Sequence, residues 1–545
     1  MNNGKIAAVI GVRKGSERIV NKNIKPFNDT SLLENKIKTL KKVKNLEEIV
    51  VSTDCEKMFK LAQQLGVVAV TRPEYYTSDE CPGSENLEFI AKQMDTEYIL
   101  YTPVTSPLVK SETYEDIINT FRKLDDKYDS VVTMNYVKDF LWENDKPLNY
   151  DPLNCPRSQD IESIFRLNFG ACLLPRETMI KNKYVVGDNP YWYELSETEG
   201  VDVDVPFDFN IAELIYEKNI KKEIDKKRVK VLDCTIRDGG FENNFGFTID
   251  EVKKALDTSS KVGYSYFEIG YLTNEEILSK DAGIWKNVPF DLISEIKNDV
   301  KPDCKISVMI DSWRYDVDRL PPSSETDIDL VRVCSYEEQI DMALEKCRKI
   351  KELGYEVSLN VICTSYISVE SFVKIRERLL TEDFLDFLCF ADSYGALTPD
   401  YVKKIVTLFR NMNPNILVGF HAHDNMSLSM ANTITALDNG ADMVDGTYTG
   451  IGRGGGNLPL ELITLYLNIS KGYNLNLNAL FEYLDTSINN KDQIEKTKQA
   501  ICGILNVHPY RLRDINEKSF VEVYNELNNL SLKDKARYPS KWLKI

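Results

Sequence analysis

Two of the three histidines in this 545-residue chain stand one residue apart, in the segment HAHDN at residues 421–425. The apolar residues before them predict a strand that ends here, and residues i and i+2 of a strand point in the same direction. His421 and His423 are therefore expected to face one centre as two ligands of a metal ion. Asp238 offers a hard third ligand, because it lies just past another predicted strand in the segment DCTIRDGG (233–240). A carboxylate, two imidazoles and a side-chain amide suit an octahedral Mn²⁺, Mg²⁺ or Co²⁺ ion with open positions better than a closed structural zinc site.

A second group of residues, near the N terminus, suits a bound phosphate. The segment RKGSERIVNKN (13–23) directly follows the first apolar run of the chain. Gly15 and Ser16 permit a turn whose backbone N–H groups face an anion, and Arg13, Arg18 and Lys22 add positive charge. Taken alone, such a turn is also typical of an ordinary surface loop.

Two carboxylates in a later segment suit the metal ion that accompanies a triphosphate. Asp202 and Asp204 stand in VDVDVPFD (201–208), where an i, i+2 spacing on a predicted strand places both on one face. Hard carboxylate oxygens on one face bind Mg²⁺ together with phosphate oxygens. In isolation, the same motif also fits an exposed strand face with solvated acids.

The elements that must position these residues alternate along residues 1–212. Short apolar runs predict strands, and amphipathic stretches predict helices between them. The alternation predicts a mostly parallel, doubly wound α/β sheet with helices on both faces. The predicted strands are 7–12, 48–52, 67–70, 98–101, 130–134 and 171–174, and the first predicted helices are 32–44 and 56–65. A Lys-rich charged helix at residues 213–228 is interpreted as a linker.

A more regular alternation fills residues 229–470 and predicts a (β/α)8 barrel. The predicted strands are 229–233, 266–270, 305–311, 330–335, 356–363, 387–393, 417–424 and 443–450. Polar and charged residues gather at the carboxyl ends of these strands, where the active sites of such barrels lie. Residues 471–545 have helical patterns only, and we expect them to form a lid or a dimerisation region.

The composition and net charge of the chain exclude several classes of protein and of binding partner. Hydrophobic residues make up 43% and charged residues 28%, the proportions of an ordinary globular protein. No apolar run approaches the roughly 18 residues that cross a bilayer. The 68 basic and 85 acidic residues give a net charge of −17, which disfavours nucleic acid or an anionic membrane as a partner. Eleven cysteines without a Cys-x-x-Cys pair indicate reduced thiols in a cytoplasmic protein.

Residues 5–210 resemble the cytidylyltransferases that activate sialic acid and related ulosonic acids as CMP-sugars. The resemblance rests, in the family's order, on the 13–23 segment, VSTD (51–54), Arg72-Pro73, TSPL (105–108), RSQD (157–160), NFGA (168–171) and VDVD (201–204). It implies that Arg13, Lys22 and Asn23 hold the phosphates and ribose of CTP, and that Asp202 and Asp204 carry Mg²⁺. It also implies that the nucleotide site includes Gly15, Ser16, Arg18, Arg72, Ser106, Arg157 and Gln159. An acceptor oxygen would attack the α-phosphorus and expel pyrophosphate, with the protein supplying position and charge.

This N-terminal region departs from the family pattern at several places. Glu17 replaces the usual Lys, Val20 replaces the usual Pro, and Pro103 stands where a base-reading Gln often lies. These changes leave the acceptor open, because a phosphate or phosphonate ester could replace an ulosonic acid.

Residues 229–465 resemble the metal-dependent barrel lyases and aldolases, which include 3-hydroxy-3-methylglutaryl-CoA lyase, 4-hydroxy-2-oxovalerate aldolase and isopropylmalate synthase. The shared segments are DCTIRDGG, EIGY (268–271), ADSYGALTP (391–399), HAHDN and GIGRGGGN (450–457). The resemblance implies that Asp238, His421 and His423 bind the metal ion, with Asn457 as a further ligand. It also implies that Arg237 stabilises an enolate oxygen of a 2-oxo acid.

The resemblance leaves the proton carrier of the barrel open. The segment FENNFGF (241–247) lacks the His that serves as base in the hydroxy-oxovalerate aldolases, and the Gly-rich loop lacks the Cys of the lyase. Glu242 is a candidate because it lies close to Asp238 in sequence. His508 is another, because the helical tail could fold over the barrel mouth, although it is equally well interpreted as a helix-capping or surface residue.

Two complete sites on one chain suggest consecutive steps of activated-sugar biosynthesis. The barrel is expected to condense pyruvate, or a similar 2-oxo acid, with an aldehyde, or to catalyse the reverse cleavage. The N-terminal domain would link the resulting sugar acid to CMP for a surface polysaccharide. The alternatives are two non-consecutive steps of one pathway, activation of a phosphate or phosphonate ester beside a barrel of different C–C chemistry, an acyl-CoA condensing activity, and a scaffold barrel without activity. A homodimer is expected by analogy with barrel lyases.

Overall fold

The computed structural model describes residues 4–16, 18–28, 30–162, 164–224, 228–274, 281–410, 412–413, 415–487 and 491–536. Glu17, one of the departures from the cytidylyltransferase pattern, lies outside these ranges. The chain divides into two compact units, residues 1–220 and residues 221–545. No helix within the described ranges has both the length and the apolar character needed to cross a membrane.

The N-terminal unit is built around one seven-stranded sheet. The strands of this unit, including two small pairs outside that sheet (β2 with β3 and β8 with β9), are β1 (Ile6–Gly11), β2 (Pro26–Phe27), β3 (Thr30–Ser31), β4 (Glu48–Thr53), β5 (Val68–Thr71), β6 (Tyr98–Tyr101), β7 (Ser130–Val137), β8 (Trp142–Glu143), β9 (Lys146–Pro147), β10 (Ile164–Pro175) and β11 (Pro190–Glu194). Its helices are α1 (Leu32–Leu40), α2 (Glu56–Gln64), α3 (Gly83–Lys92), α4 (Ser111–Lys123), α5 (Arg176–Asn182) and α6 (Pro206–Ile224). The sheet order is β11-β7-β10-β6-β1-β4-β5, in which β10 runs antiparallel to both of its neighbours and the other pairs are parallel.

The composition of β1 explains its central position. Its residues IAAVIG are apolar and almost all buried, as expected for a parallel strand between two others, here β4 and β6. Apolar residues of α1, α2 and α4 cover one face of the sheet, and those of α3 and α5 cover the other. The segment 13–23 therefore starts from the carboxyl edge of a well-packed sheet, and the predicted doubly wound fold is confirmed.

The acidic segment at residues 201–205 is irregular, and the expectation of a strand there is wrong. The carboxylate of Asp208 accepts hydrogen bonds from the N–H groups of Asp204 at 3.0 Å and Val205 at 2.9 Å. This side-chain cap starts α6 at Pro206, so the backbone turns into a helix where the alternating Val and Asp residues predict an extended strand. The segment is still fixed in place, because the N–H of Val203 donates to the carbonyl oxygen of Thr105 at 2.8 Å.

Helix α6 also takes up part of the segment predicted as a linker. Phe209 and Ala212 are buried in the core of the N-terminal unit, and Ile215 and Tyr216 pack against them. The first residues of the 213–228 segment therefore belong to the helical cover of the sheet.

The C-terminal unit, within the described ranges, is a closed barrel of eight parallel strands. They are β12 (Lys230–Asp233), β13 (Tyr266–Tyr271), β14 (Lys305–Asp311), β15 (Leu330–Ser335), β16 (Glu356–Val361), β17 (Phe387–Asp392), β18 (Leu417–Ala422) and β19 (Met443–Gly446). Strand β12 pairs with β19 and so closes the barrel. These strands coincide with the predicted ones except at their ends, and the predicted barrel is confirmed.

Helices surround the barrel and continue beyond it. They are α7 (Thr235–Gly239), α8 (Ile249–Val262), α9 (Phe290–Val300), α10 (Ile340–Glu352), α11 (Val369–Leu379), α12 (Pro399–Phe409), α13 (Ser429–Asp438), α14 (Leu460–Lys471), α15 (Leu477–Ser487), α16 (Lys491–Ile504), α17 (Phe520–Asn528) and α18 (Leu532–Ala536). Thr248 and Glu251 form a reciprocal capping box that fixes the start of α8. Leu480, Phe481 and Leu484 of α15 are buried in the core of the barrel unit, so the tail is an integral part of its packing.

Candidate active sites

The predicted metal ligands of the barrel come together at the carboxyl ends of its strands. Asp238 lies in α7 directly after β12, His421 lies in β18, and His423 follows that strand. The Asp238 Oδ2 atom is 3.2 Å from His421 Nε2 and 3.6 Å from His423 Nε2. Asn457, in the Gly-rich loop, forms a β-bridge with His423. All four residues are buried.

Hydrogen bonds on their far sides orient the two imidazoles. The Nδ1 atom of His421 lies 3.2 Å from Asp445 Oδ2, and the Nδ1 atom of His423 lies 3.2 Å from the carbonyl oxygen of Gly456. Each ring therefore directs Nε2 toward Asp238, the arrangement in which metal-binding histidines are usually held.

A buried charge network surrounds this cluster. Glu268 accepts a hydrogen bond from Arg237 Nε at 2.6 Å and another from Arg332 Nη1 at 3.1 Å, and Arg332 also donates to Asp445 at 2.5 Å. Three buried carboxylates, those of Asp238, Glu268 and Asp445, thus face two buried guanidinium groups. The surplus of one negative charge favours the binding of a cation among these carboxylates.

The pKa values of the cluster reflect that surplus. Burial alone would raise the pKa of the Asp238 carboxyl, but Arg237 and the imidazoles hold it well below its ordinary value. Burial likewise opposes a charged His421, yet hydrogen bonds to Asp238 and Asp445 raise its pKa above the ordinary value. For His423, burial and then the neighbouring His421 lower the pKa to about 4, which leaves it neutral as a ligand must be.

An unsatisfied oxygen and a buried carboxylate in the cluster fit a divalent metal ion. Among the described residues, the Oδ1 atom of Asn457 is buried without a hydrogen-bond partner, and the carboxylate of Asp238 contacts Arg237 Nη1 at 3.1 Å and the two imidazoles. The amide nitrogen of Asn457 donates to the carbonyl oxygen of Ile451 at 2.9 Å, which leaves its oxygen for a ligand. Buried polar atoms of this kind are costly unless something binds them. The donor set of Asp238, His421, His423 and Asn457 therefore fits Mg²⁺, Mn²⁺ or Co²⁺.

Cys234 is a further group near the centre that the sequence did not single out. Its Sγ atom lies within 4.8 Å of ligand atoms of Asp238 and His421. The thiol donates to the carbonyl oxygen of Gly446 at 3.2 Å, and burial raises its pKa well above the ordinary value. Because the thiolate is the form that binds metal, Cys234 is better explained as a buried hydrogen-bond donor.

The two candidate proton carriers occupy different surroundings. Glu242 lies exposed in the turn after α7, where its N–H donates to the carbonyl oxygen of Gly239 at 3.0 Å. His508 precedes a short 3₁₀ helix, and its Nδ1 atom accepts a hydrogen bond from the N–H of Tyr510 at 3.3 Å. That contact corresponds to the helix-capping interpretation, and a catalytic role for either residue stays a prediction.

The phosphate-type loop of the N-terminal unit adopts the expected turn. Gly15 has a φ of 83°, and a Cβ atom there would meet nothing within 4 Å, so the loop is open on this side. Arg13 donates to the carbonyl oxygen of Thr77 at 2.9 Å and to Asp79 at 2.7 Å. Asn23 donates to the carbonyl oxygen of Arg13 at 3.1 Å and thereby fixes the loop backbone.

The loop and the acidic segment meet at Lys22. Its Nζ atom donates to the carbonyl oxygen of Val203 at 2.7 Å and lies 3.8 Å from Asp204 Oδ1, while Arg18 Nη2 lies 3.3 Å from the same oxygen. Burial and then the nearby charge of Asp204 raise the pKa of Asp202. Basic groups for phosphates and carboxylates for a cation are thus adjacent, as the resemblance requires.

Three other residues that were predicted to bind the nucleotide lie in parts of the structure where they contact the protein itself or the solvent. Arg72 is buried and donates to the carbonyl oxygens of Val12 at 2.5 Å and Ser52 at 3.2 Å, so it joins the ends of β1 and β4. Arg157 pairs with Asp160 at 2.6 Å on an exposed turn that also carries Gln159. Within the described ranges, Arg157 and Gln159 make no hydrogen bond to the other predicted nucleotide residues.

A buried lysine that the sequence did not reveal supports the TSPL loop. The Nζ atom of Lys36, in α1, donates to the carbonyl oxygen of Ser106 at 2.8 Å, to Thr102 at 3.1 Å and to Tyr114 at 2.5 Å. The neighbouring Asn35 donates to the carbonyl oxygen of Pro107 at 2.8 Å. Burial lowers the pKa of Lys36 to about 7. The hydroxyl of Ser106 is buried and has no partner among the described residues.

Comparisons with known proteins match the two compact units to two different families. Residues 7–165 match the family described as cytidylyltransferase, and residues 228–495 match the family described as HMGL-like. A 4-hydroxy-2-oxovalerate aldolase of Thermus thermophilus is 26% identical over 295 residues, which cover 54% of this chain and 81% of that protein. An oxaloacetate decarboxylase of Mycobacterium tuberculosis is 25% identical over 251 residues, covering 44% of this chain and 69% of that protein. A solved structure of CMP:2-keto-3-deoxy-manno-octonic acid synthetase with CTP covers 39% of this chain and 99% of its own, with 14% identity and a TM-score of 0.31.

Proposed function

We propose that this fused enzyme, which joins a cytidylyltransferase domain to an HMGL-like aldolase or lyase domain, serves one route to an activated sugar acid. The barrel forms the enolate of a pyruvate-like 2-oxo acid and joins it to an aldehyde, or cleaves such a product. The N-terminal domain transfers the cytidylyl group of CTP to an acid and releases pyrophosphate. The observation that supports the barrel reaction best is the buried Asp238, His421 and His423 cluster with Arg237 beside it.

The metal ion would be held by Asp238, His421, His423 and Asn457, and when bound it would withdraw charge from the carbonyl group of the 2-oxo acid. Arg237 is fixed by Glu268, so its guanidinium can stabilise the enolate oxygen without reorganising. Because the group is buried, its charge acts with little screening by water. Glu242 and His508 remain the proposed proton carriers.

In the N-terminal domain, catalysis would rest on position and charge. Arg13, Arg18 and Lys22 would neutralise the triphosphate, and Asp202 and Asp204 would hold Mg²⁺ against it. An acceptor oxygen would then displace pyrophosphate from the α-phosphorus. The proximity of Lys22 and Arg18 to Asp204 supports this arrangement.

Deuterium exchange tests the barrel without knowledge of the aldehyde. Pyruvate is incubated in D₂O with Mn²⁺ or Mg²⁺, the reaction is quenched with chelator, and the methyl group is read by mass spectrometry. We expect exchange in the native protein and in Asp250→Ala, which removes an exposed carboxylate from α8, but not in Asp238→Ala. Exchange that persists in Asp238→Ala would contradict the assigned site.

Metal analysis separates an active barrel from a scaffold. The native protein is expected to retain a divalent ion that a His421→Ala, His423→Ala variant loses. Equal metal content in both proteins would favour the scaffold alternative.

Pyrophosphate release from CTP tests the acceptor. Ulosonic acids, phosphate esters and phosphonates are compared at equal concentration. Turnover with the phosphorus-containing acceptors alone would exclude a sugar acid as the group activated.

A further inference from the structure

Two cations approach one exposed aromatic ring beside the metal cluster. Phe241 follows the RDGG segment and is 37% exposed. The Lys286 Nζ atom lies 4.9 Å from the centre of the Phe241 ring, and the Arg453 guanidinium carbon also lies 4.9 Å from it. Lys286 follows β13, whereas Arg453 belongs to the Gly-rich loop that carries Asn457, so the two cations reach the ring from separate loops.

Neither cation forms an ion pair within the described part of the chain. The side chains of Lys286 and Arg453 have no hydrogen bond or ion pair with another described residue, and their close contacts are with aromatic rings. Other barrel lysines are paired, such as Lys253 with Asp299 at 2.6 Å and Lys349 with Asp318 at 3.0 Å. In a chain of net charge −17, two unpaired cations at one place indicate a site for an anion.

The surroundings of Lys286 make an anion there favourable. Its Nζ atom lies 3.9 Å from the centre of the Tyr271 ring, and burial lowers its pKa. Asp311 is the carboxylate that acts most on Lys286, but it is shared, because Arg314, Arg237 and Arg453 act on it as well and Arg314 Nη1 lies 3.6 Å from its Oδ2 atom. A half-buried ammonium group that lies against aromatic faces and shares one carboxylate with three guanidinium groups gains stability when an anion binds.

The site formed by Lys286 and Arg453 lies next to the predicted metal ligands. The Tyr271 ring that contacts Lys286 also has the Arg237 guanidinium carbon 6.0 Å from its centre, and Arg237 precedes the metal ligand Asp238. A group bound by Lys286 and Arg453 would therefore belong to a small substrate whose other end reaches the enolate.

We propose that Lys286 and Arg453 bind a phosphoryl or phosphonyl group carried by the aldehyde substrate of the barrel. The inference rests on the proposed aldol reaction and names the class of its second substrate. Two cations on separate loops match a tetrahedral dianion, whose oxygens point in several directions, better than a single planar carboxylate. The bound group takes no part in bond formation; it fixes the aldehyde carbon against the enolate.

Aldehyde pairs that differ only in the phosphorus group test the proposal. Labelled pyruvate is condensed with glycolaldehyde or glycolaldehyde phosphate, and with acetaldehyde or phosphonoacetaldehyde, and kcat/KM is measured for each. We expect the native enzyme to prefer the phosphorus-containing member of a pair. Because charge-assisted hydrogen bonds are lost, Lys286→Met and Arg453→Met should each reduce that preference about tenfold or more, chiefly through KM. Lys374→Met, which removes an exposed charge from α11, should leave the preference unchanged.

Three results would overturn the proposal or its premise in distinguishable ways. Equal kcat/KM values within each pair in the native enzyme would show that no phosphorus group is recognised. An equal loss for both members of a pair in Lys286→Met and Lys286→Arg would make Lys286 a proton carrier instead. Absence of pyruvate exchange in the native protein would remove the aldol premise itself. Since Arg453 is exposed, its substitution leaves the core intact and keeps the test valid if Lys286→Met folds poorly.

Discussion

The buried Lys36 predicts an unusual pH dependence for the stability of the N-terminal unit. Its amine lies beneath the TSPL loop and forms hydrogen bonds with Ser106, Thr102 and Tyr114. Replacement by Met keeps most of the apolar stem and removes only the titrating group and its hydrogen bonds. Because the loop then loses its anchor, we also expect a higher KM for CTP.

The magnitude follows from the lowered pKa. The pKa of Lys36 is about 7 in the folded state, against an ordinary value of 10.5 for the unfolded chain. Between these values the unfolded chain binds the proton and the folded one does not, so the free energy of unfolding rises with pH by about 1.4 kcal/mol per unit. Because Lys36 is half protonated in the folded state at pH 7, the native protein should gain about 2 kcal/mol relative to Lys36→Met from pH 7 to pH 9.

Urea unfolding of the full chain at pH 7, 8 and 9 measures this difference. Pulse hydrogen exchange read in peptides that cover β6 and β7 reports the N-terminal unit alone. Lys38→Met is the matched control, because Lys38 lies on the same helix and pairs with Glu34 at 3.0 Å. It should retain the slope of the native protein. Parallel pH profiles for native protein and Lys36→Met would refute the assignment of a neutral buried amine.

Three further predictions concern the charged clusters. Glu268→Gln leaves two buried guanidinium groups without their shared carboxylate, so urea unfolding of the barrel unit should show a loss of about 3–5 kcal/mol; an unchanged midpoint would contradict the network. The raised pKa of His421, with that of His423 at about 4, implies that metal binding releases a proton from His421 and tightens as pH rises. Calorimetry in buffers of different ionisation enthalpy should show that release, and its absence would mean that His421 is already neutral. Asp204→Asn should slow Mg²⁺-dependent pyrophosphate release by about tenfold or more, whereas an unchanged rate would remove Asp204 from the metal site.

The barrel, and the meeting of Asp238, His421 and His423 at one end of it, could be predicted because both depend on local patterns. Strands buried on both faces are largely apolar runs, so β14 stands out in the sequence with the bounds it has in the structure. The spacing of His421 and His423 follows from the strand period alone. Asp238 was found because it lies at the carboxyl end of its strand.

The supporting residues could not be predicted, since they depend on which strands are neighbours. Asp445 orients His421 only because β19 pairs with β18, and Glu268 meets Arg332 across the barrel interior. A signal was present nonetheless. Charged residues interrupt the apolar strands YFEIGY, LVRVCS and MVDG, and a charge inside a barrel must be paired.

The error at residues 201–205 has a different cause. Alternating Val and Asp residues match the strand period, but Pro206 and the Asp208 cap impose a helix start immediately afterwards. The hydrogen bonds that cap the start of α6 therefore decided the local conformation, although the sequence has the period of a strand. Lys36 was missed for a related reason: charged residues on a helix are normally solvated, and only the packing of the TSPL loop over α1 buries this one.

The positions of the predicted metal ligands mean that the site forms late in chain synthesis and folding. Asp238 follows β12, the first strand of the barrel, whereas His421 lies in β18, and β19 pairs with both strands. The ligand set exists only after the last strand has inserted between the two, which requires contacts between distant parts of the chain. A metal ion that binds this set binds the closed ring and not the open one. At a free concentration of about one hundred times its Kd, the ion would stabilise the closed barrel by about 2.7 kcal/mol. Metal binding would therefore stabilise the pairing between the first and last strands.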